Sequence, residues 1–407
     1  MCKSHFSALS IVAALALNSV ANASQSPEIH SFDDAFRALS RRSLSPQDVQ
    51  SLSKWVGERD LASGNPRSED LRFIFAIQVP GPEMRVVATS DDGKWTLSLR
   101  RLARTNVYAA ETTLPELTGF RWSYRIGSER KGGGELEAYT HPKETRAQPG
   151  VPKGTLEEQE LFKSKVFEGT TRHWWIYVPK QYDGSKPACL FVVQDGQWAR
   201  GSWTTVLDNM IAEKQIPISI AVFITPGTIK TDIDNRSVEY DTVSDRYVTM
   251  LADEILPQVT KRYNIRPDAR GHVIAGGSSG GICSFNAAWY RPDLFHKVIS
   301  WIGSFTNLQG GATGVAGGNT YPAIIRALRG WDEKGEPKPL RVFLQDGRND
   351  VNNKAGNWPL ANQEMASALE FGHYDYRFEL GNGFHSDKYG RALLPDTLRW
   401  LFRDEEK

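Results

Sequence analysis

The sequence predicts an α/β fold with a largely parallel sheet, preceded by a small β-sandwich. Two observations carry this prediction. Between residues 159 and 407, apolar strand patterns alternate with helical patterns, which is typical of strand-helix-strand units. Between residues 67 and 140, short strand patterns follow one another with only turns between them, which is typical of a sandwich. A chain of 407 residues has room for two such domains.

The composition excludes several other classes of protein. With 40% hydrophobic and 24% charged residues, the chain is neither disordered, collagen-like nor a coiled coil. The formal net charge is +1, and it falls to 1 − 1 = 0 without residues 1–23, whose only charged side chain is Lys3. A balance of zero gives no electrostatic footprint for nucleic acid or an anionic membrane.

Residues 1–23 have the pattern of a secretory signal. Lys3 gives a short basic start, residues 8–17 are apolar, and Ala-Asn-Ala at residues 21–23 is a small-residue cleavage site. The apolar stretch is too short to span a bilayer, and no later stretch is long and apolar enough to do so. We therefore expect cleavage after Ala23 and a periplasmic or secreted mature chain. A hydrophobic N-terminal helix that stays in the mature protein is the alternative.

The three cysteines are too few for a disulfide scaffold, and no Cys-x-x-Cys pair suggests structural zinc. Cys2 would leave with the signal. Cys189 lies in a strand pattern and Cys283 in a helical pattern, so the sequence leaves open whether they form a disulfide or remain two buried thiols.

Residues 24–66 are predicted to be a helical segment, because Ser31 and Ser45 suit N-cap positions and Pro46 suits a first helical turn. From residue 67 to 140 strand patterns take over, at residues 71–77, 84–88, 95–99 and 120–126. An Asp-Gly pair at 92–93 predicts a hairpin, and the three glycines at 132–134 predict a turn. These strands predict an immunoglobulin-like β-sandwich domain.

Residues 141–158 are predicted to be a linker, since prolines recur there without periodicity. Residues 159–407 form the predicted α/β domain. Its strand patterns lie at residues 174–178, 189–193, 218–224, 271–275, 340–344 and 376–380. Its helical patterns lie at residues 247–263, 281–290, 360–371 and 395–402, and Pro257 is not expected to interrupt the first of these.

Residues 275–281, Ala-Gly-Gly-Ser-Ser-Gly-Gly, join a predicted strand to a predicted helix. A nucleophile elbow needs this context, because its sharp turn holds a serine Oγ above the sheet and admits only small neighbours. Ser278 fits Gly-x-Ser-x-Gly between Gly276 and Gly280, and Ser279 fits it one residue later. We prefer Ser278, since the spare glycine then falls at the helix start. A structural or phosphate-binding glycine turn is the alternative.

A nucleophilic serine needs an acid and a histidine, which follow it in that order in α/β-hydrolases. His385 lies in the loop before the closing helix, whereas His373 precedes the last strand and is the weaker candidate. Asp346 and Asp350 both follow the strand at 340–344, near its carboxyl end, where catalytic groups gather. We prefer Asp350, which lies further along the loop, and Asp346 would then cap the turn.

An oxyanion hole needs two backbone N–H groups. One is expected from Ser279, directly after the nucleophile. The other is expected from Gln197, with Gly196 as the alternative, in the loop that follows the strand at 189–193.

Five side chains near the predicted strand ends are candidates for substrate contact: Trp198, Trp203, Trp358, Arg236 and Glu239. The tryptophans could stack on an aromatic acyl group or a sugar, or only pack within their loops. Arg236 and Glu239 could bind polar groups of a substrate, but we favour a structural ion pair for them.

Taken together, residues 160–405 resemble the enterochelin (siderophore) esterase branch of the α/β-hydrolases, which is related to feruloyl and acetyl-xylan esterases. The resemblance rests on Trp-Ile-Tyr-Val-Pro at 175–179, Asp-Gly at 195–196, Arg-Ser-Val-Glu-Tyr at 236–240, the glycine-serine run at 276–281, Arg-Pro-Asp-Leu-Phe at 291–295 and Gly-Phe-His at 383–385. The family pattern of a serine followed by x-Gly-Gly, and of an acid in Gly-x-x-Asp, implies Ser278 and Asp350 here. The resemblance also implies an N-terminal β-sandwich.

The sequence therefore predicts a serine carboxylic-ester hydrolase that acts through a Ser278–Asp350–His385 triad and an acyl-enzyme. The expected partner is a small-molecule or carbohydrate-linked ester, of the feruloyl or acetyl type, or a siderophore ester. An acyltransferase on the same fold and a non-catalytic carbohydrate-binding protein are the alternatives. No metal-ligand spacing, phosphate-binding loop or dinucleotide motif is present, so we expect neither metal nor cofactor. The sequence does not set the oligomeric state.

Overall fold

The computed structural model describes residues 28–230, 233–309 and 316–405, so the signal pattern at residues 1–23 lies outside the described residues. The helices are α1 (Phe32–Leu39), α2 (Pro46–Val56), α3 (Glu58–Ser63), α4 (Gly196–Ala212), α5 (Arg236–Tyr240), α6 (Arg246–Met250), α7 (Leu256–Arg262), α8 (Ser279–Tyr290), α9 (Tyr321–Arg329), α10 (Trp358–Phe371) and α11 (Lys388–Leu401).

The strands of the N-terminal half are β1 (Arg67–Glu69), β2 (Arg72–Gln78), β3 (Val86–Ser90), β4 (Thr96–Arg101), β5 (Val107–Thr113), β6 (Thr118–Ile126) and β7 (Glu129–Ala138). Those of the C-terminal half are β8 (Thr155–Glu158), β9 (Phe162–Lys163), β10 (Thr171–Arg172), β11 (Trp174–Val178), β12 (Cys189–Gln194), β13 (Ser219–Ile224), β14 (Thr228–Lys230), β15 (Ile233–Asp234), β16 (His272–Gly277), β17 (Lys297–Trp301), β18 (Arg341–Gly347), β19 (Asn352–Asn353), β20 (Gly356–Asn357) and β21 (Asp375–Gly381).

The first helices begin where the capping residues predict. The Ser31 side chain accepts a hydrogen bond from the Asp34 backbone N–H at the start of α1. Ser45 and Asp48 exchange reciprocal side-chain and backbone hydrogen bonds at the start of α2, which satisfies two otherwise unpaired N–H groups. These helices share an apolar cluster with β2 and β5, so they cover one face of the N-terminal sheet.

The N-terminal strands form one antiparallel sheet in the order β1-β2-β5-β4-β3-β6-β7. Phe75 lies in β2 and Trp122 in β6, and three strands separate β2 from β6 in this order. Their rings nevertheless meet edge to face, with centroids 5.0 Å apart, which shows that the sheet folds over on itself. An apolar cluster that includes both residues fills the space between the two halves of the sheet.

The glycines at 132–134 do not form the predicted turn but lie within β7. The hairpin instead turns at residues 127–128, where Gly127 has a positive φ of 61°. The β6–β7 register shifts between Trp122 and Tyr124, a bulge that the glycine run accommodates. The sequence prediction was wrong here because glycine is used both in turns and in bulges.

The C-terminal half is built on a mixed sheet in the order β21-β18-β17-β16-β12-β13-β11-β8. From β21 to β13 the neighbouring strands are parallel. At the other edge, β11 runs antiparallel to β13, and the edge strand β8 runs antiparallel to β11. Helices α4 and α11 pack on one face of this sheet, and α6, α8, α9 and α10 on the other. Strand β8 lies within the residues predicted to be a linker. The prediction missed it because its mostly polar, exposed residues have no strand pattern, although such residues suit a strand at the edge of a sheet.

The helical pattern at 247–263 is not the regular helix predicted from it. A π-helical segment, Leu251–Ile255, separates α6 from α7 just before Pro257. A proline has no N–H to donate, and its ring clashes with the carbonyl four residues earlier, so the backbone widens there.

Cys189 and Cys283 are both buried and free, so the open question of a disulfide between them is answered: they do not pair. Burial raises the pKa of both thiols. Within the described parts of the chain, no helix has the length and apolar character needed to cross a membrane.

Candidate active site

The glycine-serine run forms a sharp turn between β16 and α8. Ser278 has φ 57° and ψ −124°, a strained conformation for a residue with a side chain. A Cβ on Gly276 would overlap the backbone of Gly280, so the turn needs glycine at that position. The Ser278 N–H donates to the Trp301 carbonyl over 2.9 Å, which ties the turn to the neighbouring strand β17.

A histidine links the serine of this turn to a carboxylate. His385 Nε2 lies 2.8 Å from Ser278 Oγ, and His385 Nδ1 lies 2.6 Å from Asp350 Oδ1. The Asp350 side chain is fully buried, while that of His385 keeps 31% of its exposure. The imidazole can therefore take a proton from the serine hydroxyl while the carboxylate fixes its orientation.

The alternative candidates lie elsewhere. Ser279 is buried, and its side chain lies near the carboxyl of Asp241. His373 lies in the turn before β21, at the opposite end of the parallel strands, and lines a different cavity. The structure thus brings Ser278, His385 and Asp350 together, and not Ser279 or His373.

Asp346 lies directly behind Asp350. Its buried carboxyl accepts a hydrogen bond from the Gly347 N–H over 2.7 Å, as in the predicted turn cap, and a second from Asn362 Nδ2 over 2.8 Å. Burial and the adjacent Asp350 carboxyl raise the pKa of Asp346 to about 9. Asp346 is therefore protonated at neutral pH and has an O–H to donate.

Asp350 has a buried oxygen that can accept a hydrogen bond from this O–H. Its Oδ1 accepts from His385, whereas its Oδ2 is buried with no donor from another described group. The Asp350 carboxyl contributes to the raised pKa of Asp346, so the two carboxyl groups lie close to each other. An Asp346 O–H directed at Asp350 Oδ2 satisfies an acceptor that would otherwise be costly to bury.

A cavity of about 220 Å³ opens at Ser278. Three of the predicted substrate contacts line it: Trp198, Trp203 and Arg236. Trp198 is 67% exposed at the cavity mouth, whereas Trp203 is buried in the wall.

Arg236 is held by a carboxylate at the carboxyl end of β12. Its Nε and Nη2 donate to the two oxygens of Asp195 over 2.9 and 2.8 Å. Burial alone would lower the pKa of Arg236, but the hydrogen bonds and charge of Asp195 outweigh it and raise that pKa. The cavity wall therefore contains a fixed, bidentate ion pair.

The other two candidates for substrate contact, Glu239 and Trp358, do not line this cavity. Glu239 is fully buried, and Arg172 Nη1 and Nη2 donate to its carboxylate over 2.7 and 3.1 Å. Glu239 thus forms a structural ion pair, which is the interpretation that the sequence analysis favours. Its partner is Arg172, whereas Arg236 pairs with Asp195. Trp358 is also buried, and its ring packs edge to face against His385 at 5.8 Å. It supports the histidine and does not line the cavity.

The two predicted oxyanion residues each lie in the first turn of a helix. Ser279 begins α8 after β16, and Gln197 is the second residue of α4 after β12. Strands β16 and β12 are parallel neighbours, so the N-termini of the two helices lie close together at the carboxyl ends of these strands. Helix N-termini carry partial positive charge, which suits a developing oxyanion. The Gln197 side chain itself does not line the cavity.

Two residues of the site, Ser304 and Asn362, were not found by the sequence analysis. Ser304 Oγ lies 3.4 Å from Ser278 Oγ and accepts a hydrogen bond from Trp358 Nε1 over 3.2 Å. Asn362 donates to Asp346 from α10. No motif marks either residue, because each reaches the site only through the packing of separate elements.

Comparisons with known proteins agree with this architecture. Residues 164–401 match the Esterase family. The iron(III) enterobactin esterase of Dickeya dadantii (strain 3937) is 25% identical over 241 residues, which are 58% of this chain and 52% of that protein. That of Escherichia coli O6:H1 (strain CFT073) is 27% identical over 160 residues, or 39% of this chain and 38% of that one. The matched region thus spans about half the length of the curated relatives, or less.

Solved structures share the fold. The ferric enterobactin esterase of Salmonella typhimurium superposes with a TM-score of 0.58 and 18% identity, covering 83% of this chain and 95% of that one. A ferulic acid esterase superposes with a TM-score of 0.50 and 19% identity, covering 62% and 98%. These are esterases of the α/β-hydrolase type. Part of the chain is thus similar in sequence to enterobactin esterases, and its fold is similar to those of enterobactin and ferulic acid esterases. The family match covers more than half of the chain, and the protein therefore belongs to the Esterase family.

Proposed function

We propose that this protein is a serine carboxylic-ester hydrolase in which Ser278 is the nucleophile, His385 the general base and Asp350 the orienting acid. One observation carries the proposal: a single imidazole bridges Ser278 Oγ at 2.8 Å and Asp350 Oδ1 at 2.6 Å. The strained elbow at Ser278 and membership of the Esterase family support it.

The reaction runs in two halves. As Ser278 Oγ attacks the ester carbonyl, His385 Nε2 takes the hydroxyl proton and then gives it to the departing alkoxide, leaving an acyl-enzyme. Water attacks the acyl-enzyme with His385 again as base, which releases the carboxylic acid and restores the serine. In this proposal the backbone N–H groups of Ser279 and Gln197 stabilise the oxyanion of each tetrahedral intermediate.

Asp346 acts in this scheme as a neutral donor to Asp350. Its O–H would donate to the second oxygen of Asp350. The first oxygen, Oδ1, holds His385 Nδ1, so the Asp350 carboxyl orients the imidazole and stabilises the imidazolium.

The proposed substrate is an aromatic or carbohydrate-linked ester, of the feruloyl or acetyl type, or a siderophore ester. The cavity at Ser278 is small, about 220 Å³, which suits the acyl part. It shares Ser202 and Arg391 with a second cavity of about 610 Å³ against the N-terminal sheet, which would take a bulkier alcohol part. Exposed Trp198 offers a stacking surface at the mouth. The signal pattern at residues 1–23 supports a periplasmic or secreted enzyme.

Hydrolysis of p-nitrophenyl acetate by the purified protein and by its Ser278→Ala variant tests the reaction. A panel of ferulate, acetate and catecholate esters then tests the substrate class. Turnover that needs an added sugar acceptor, and yields an acylated sugar, would instead identify an acyltransferase. Equal, negligible rates for both proteins would reject the catalytic proposal and favour a carbohydrate-binding protein.

A further inference from the structure

The loop that carries His385 contacts the N-terminal sheet through a buried carboxylate. Glu137 lies in β7, and its side chain keeps only 1% of its exposure. Ser386, the residue after His385, donates its hydroxyl to Glu137 Oε1 over 2.7 Å. Tyr139 donates its hydroxyl to Oε2 over 2.8 Å, and Lys388 Nζ lies 3.6 Å from Oε1. Both oxygens are thus bound, and one of them holds the neighbour of the proposed base.

Further contacts fix the same loop to the N-terminal sheet from the side of β6. Asn382 Nδ2 donates to the Leu117 carbonyl over 2.9 Å. A Cβ on Gly119 would overlap the Asn382 carbonyl, so the two backbones meet as closely as glycine permits. The Arg121 guanidinium lies over the Phe384 ring, 5.5 Å from its centroid. The chain from 382 to 386 is therefore held by residues that precede it by more than two hundred positions.

The loop depends on such contacts because it has no regular structure of its own. Residues 382–387 lie between the end of β21 and the start of α11, outside any strand or helix. A catalytic imidazole must stay within hydrogen-bond reach of both its partners, and a displacement of about 1 Å can cost roughly a hundredfold in rate. Within its own half of the fold, Asn349 holds the loop, because its backbone N–H donates to the Gly383 carbonyl over 3.0 Å and its Nδ2 to the Asn382 carbonyl over 2.7 Å. The contacts from the N-terminal sheet add a second restraint, next to His385 itself.

We propose that Glu137 is a positioning residue that fixes the His385 loop through Ser386, so that the N-terminal sheet completes the active site. The inference rests on the proposed triad. It assigns to the N-terminal sheet a role in the rate of the chemical step, in addition to any role in binding a bulky substrate. Glu137 acts through Ser386 and does not itself touch the reacting atoms.

The test compares full-length Glu137→Ala, Glu137→Gln and Ser386→Ala variants on p-nitrophenyl acetate, a substrate too small to need the second cavity. Glu137→Ala and Ser386→Ala should each lower kcat at least about tenfold with little change in KM. The double variant should be no worse than the poorer single one, because both remove the same contact. Glu137→Gln keeps the shape and the capacity to accept a hydrogen bond, so it should recover most of kcat.

Glu129→Gln is the matched control, since Glu129 lies on the same strand but is exposed, and its kcat should equal that of the wild type. Rates are expressed per serine that a fluorophosphonate labels, which removes any misfolded fraction. A wild-type kcat per labelled serine in Glu137→Ala would overturn the proposal.

Amide hydrogen exchange separates this inference from the proposed function. Residues 382–387 should exchange faster in Glu137→Ala than in the wild type, while β16 stays unchanged. This readout holds even if the wild type hydrolyses no ester, in which case the proposed function alone fails. Unchanged exchange across the loop would reject the positioning role whatever the activity.

Discussion

Ser278 reaches its position through a backbone conformation that serine rarely adopts. The positive φ at the end of β16 turns its Oγ toward His385, while Ser279, one residue later, is already the first residue of a helix and points inward. Two adjacent serines in one glycine run therefore have different surroundings. Of the two, it is Ser278 that has an imidazole within hydrogen-bond reach of its hydroxyl.

We expect Ser278→Ala to abolish hydrolysis of p-nitrophenyl acetate, with a loss of several powers of ten in kcat/KM, since a triad without its nucleophile retains only residual catalysis. Ser279→Ala should retain most activity, because the proposed contribution of Ser279 is its backbone N–H, which alanine keeps. Circular dichroism of both variants checks that the fold is intact. A dead Ser279→Ala beside an active Ser278→Ala would shift the nucleophile by one residue.

The same substitution should affect activity far more at Asp350 than at Asp346, although both aspartates are buried. Asp350→Asn removes the counter-charge of the imidazolium and the control of its tautomer, so kcat should fall by a factor of about 10⁴. Asp346→Asn replaces a neutral acid by a neutral amide that can still donate to Asp350, so kcat should fall far less. The test is to measure kcat of both variants and of the wild type at neutral pH. If Asp346→Asn is the more damaged variant, the roles of the two aspartates are reversed.

The protonated state of Asp346 also predicts a pH dependence of stability. Its pKa is about 9 in the folded protein but about 4 in an unfolded chain, so between these values only the folded state holds the proton. That stabilisation is complete below about pH 4 and is lost as pH rises toward 9, by at most about 1.4 kcal/mol per pH unit. Asp346→Asn carries no such proton, so its stability relative to the wild type should rise from pH 4 to pH 9. Urea unfolding at several pH values measures this, and two parallel curves would contradict it.

At the scale of elements, an ion pair joins β10 to α5. Arg172 and Glu239 are both without exposure, and Glu239 also accepts from the Gly227 N–H and from Asn235 Nδ2, each over 3.1 Å. Two buried charges satisfied in this way hold α5 and the Gly227 backbone against β10. Arg236, on the same short helix α5, lies beside the cavity, so this pair indirectly supports the cavity wall.

Removing one member of this pair should act on stability and not on substrate binding. Arg172→Met leaves the Glu239 carboxylate buried without its partner, and we expect a loss of about 3–5 kcal/mol in the free energy of unfolding. The double variant Arg172→Met/Glu239→Leu should recover much of that loss, because it removes both charges. Urea unfolding gives the stabilities, and KM for a feruloyl ester checks the site. A raised KM with unchanged stability in these variants would instead indicate that Glu239 contacts the substrate.

At the scale of the whole molecule, the free cysteines report on both packing and processing. Cys189 and Cys283 are buried in the α/β half, each with a raised thiol pKa, so neither should react in the native protein. Of the three cysteines in the sequence, Cys2 would leave with the signal, and 3 − 1 = 2 would remain.

A thiol titration with Ellman's reagent on protein recovered from the periplasm or medium tests this count. We expect no reactive thiol in the native protein and two after unfolding in guanidinium chloride. Three thiols after unfolding would mean that the signal is retained. None would mean that the two buried cysteines are oxidised to a disulfide.

The sequence by itself determined the local features of this protein. The capped helices at Ser31 and Ser45, the individual strand segments and the serine turn each depend on residues that are near one another in the chain. The order serine, aspartate, histidine, with each residue after a strand, also fixed which side chains could meet, because parallel strands end at one sheet edge.

The tertiary structure alone decided which candidates do meet and which are buried. Nothing local to Glu239 or Trp358 reveals that one faces Arg172 and the other packs on His385. The protonation of Asp346 depends on burial and on a second carboxylate, and the hold of Glu137 on Ser386 joins residues 249 positions apart. Such contacts are set by how separate elements pack, and the periodicity of a sequence shows which face of an element is buried but not which partner it meets.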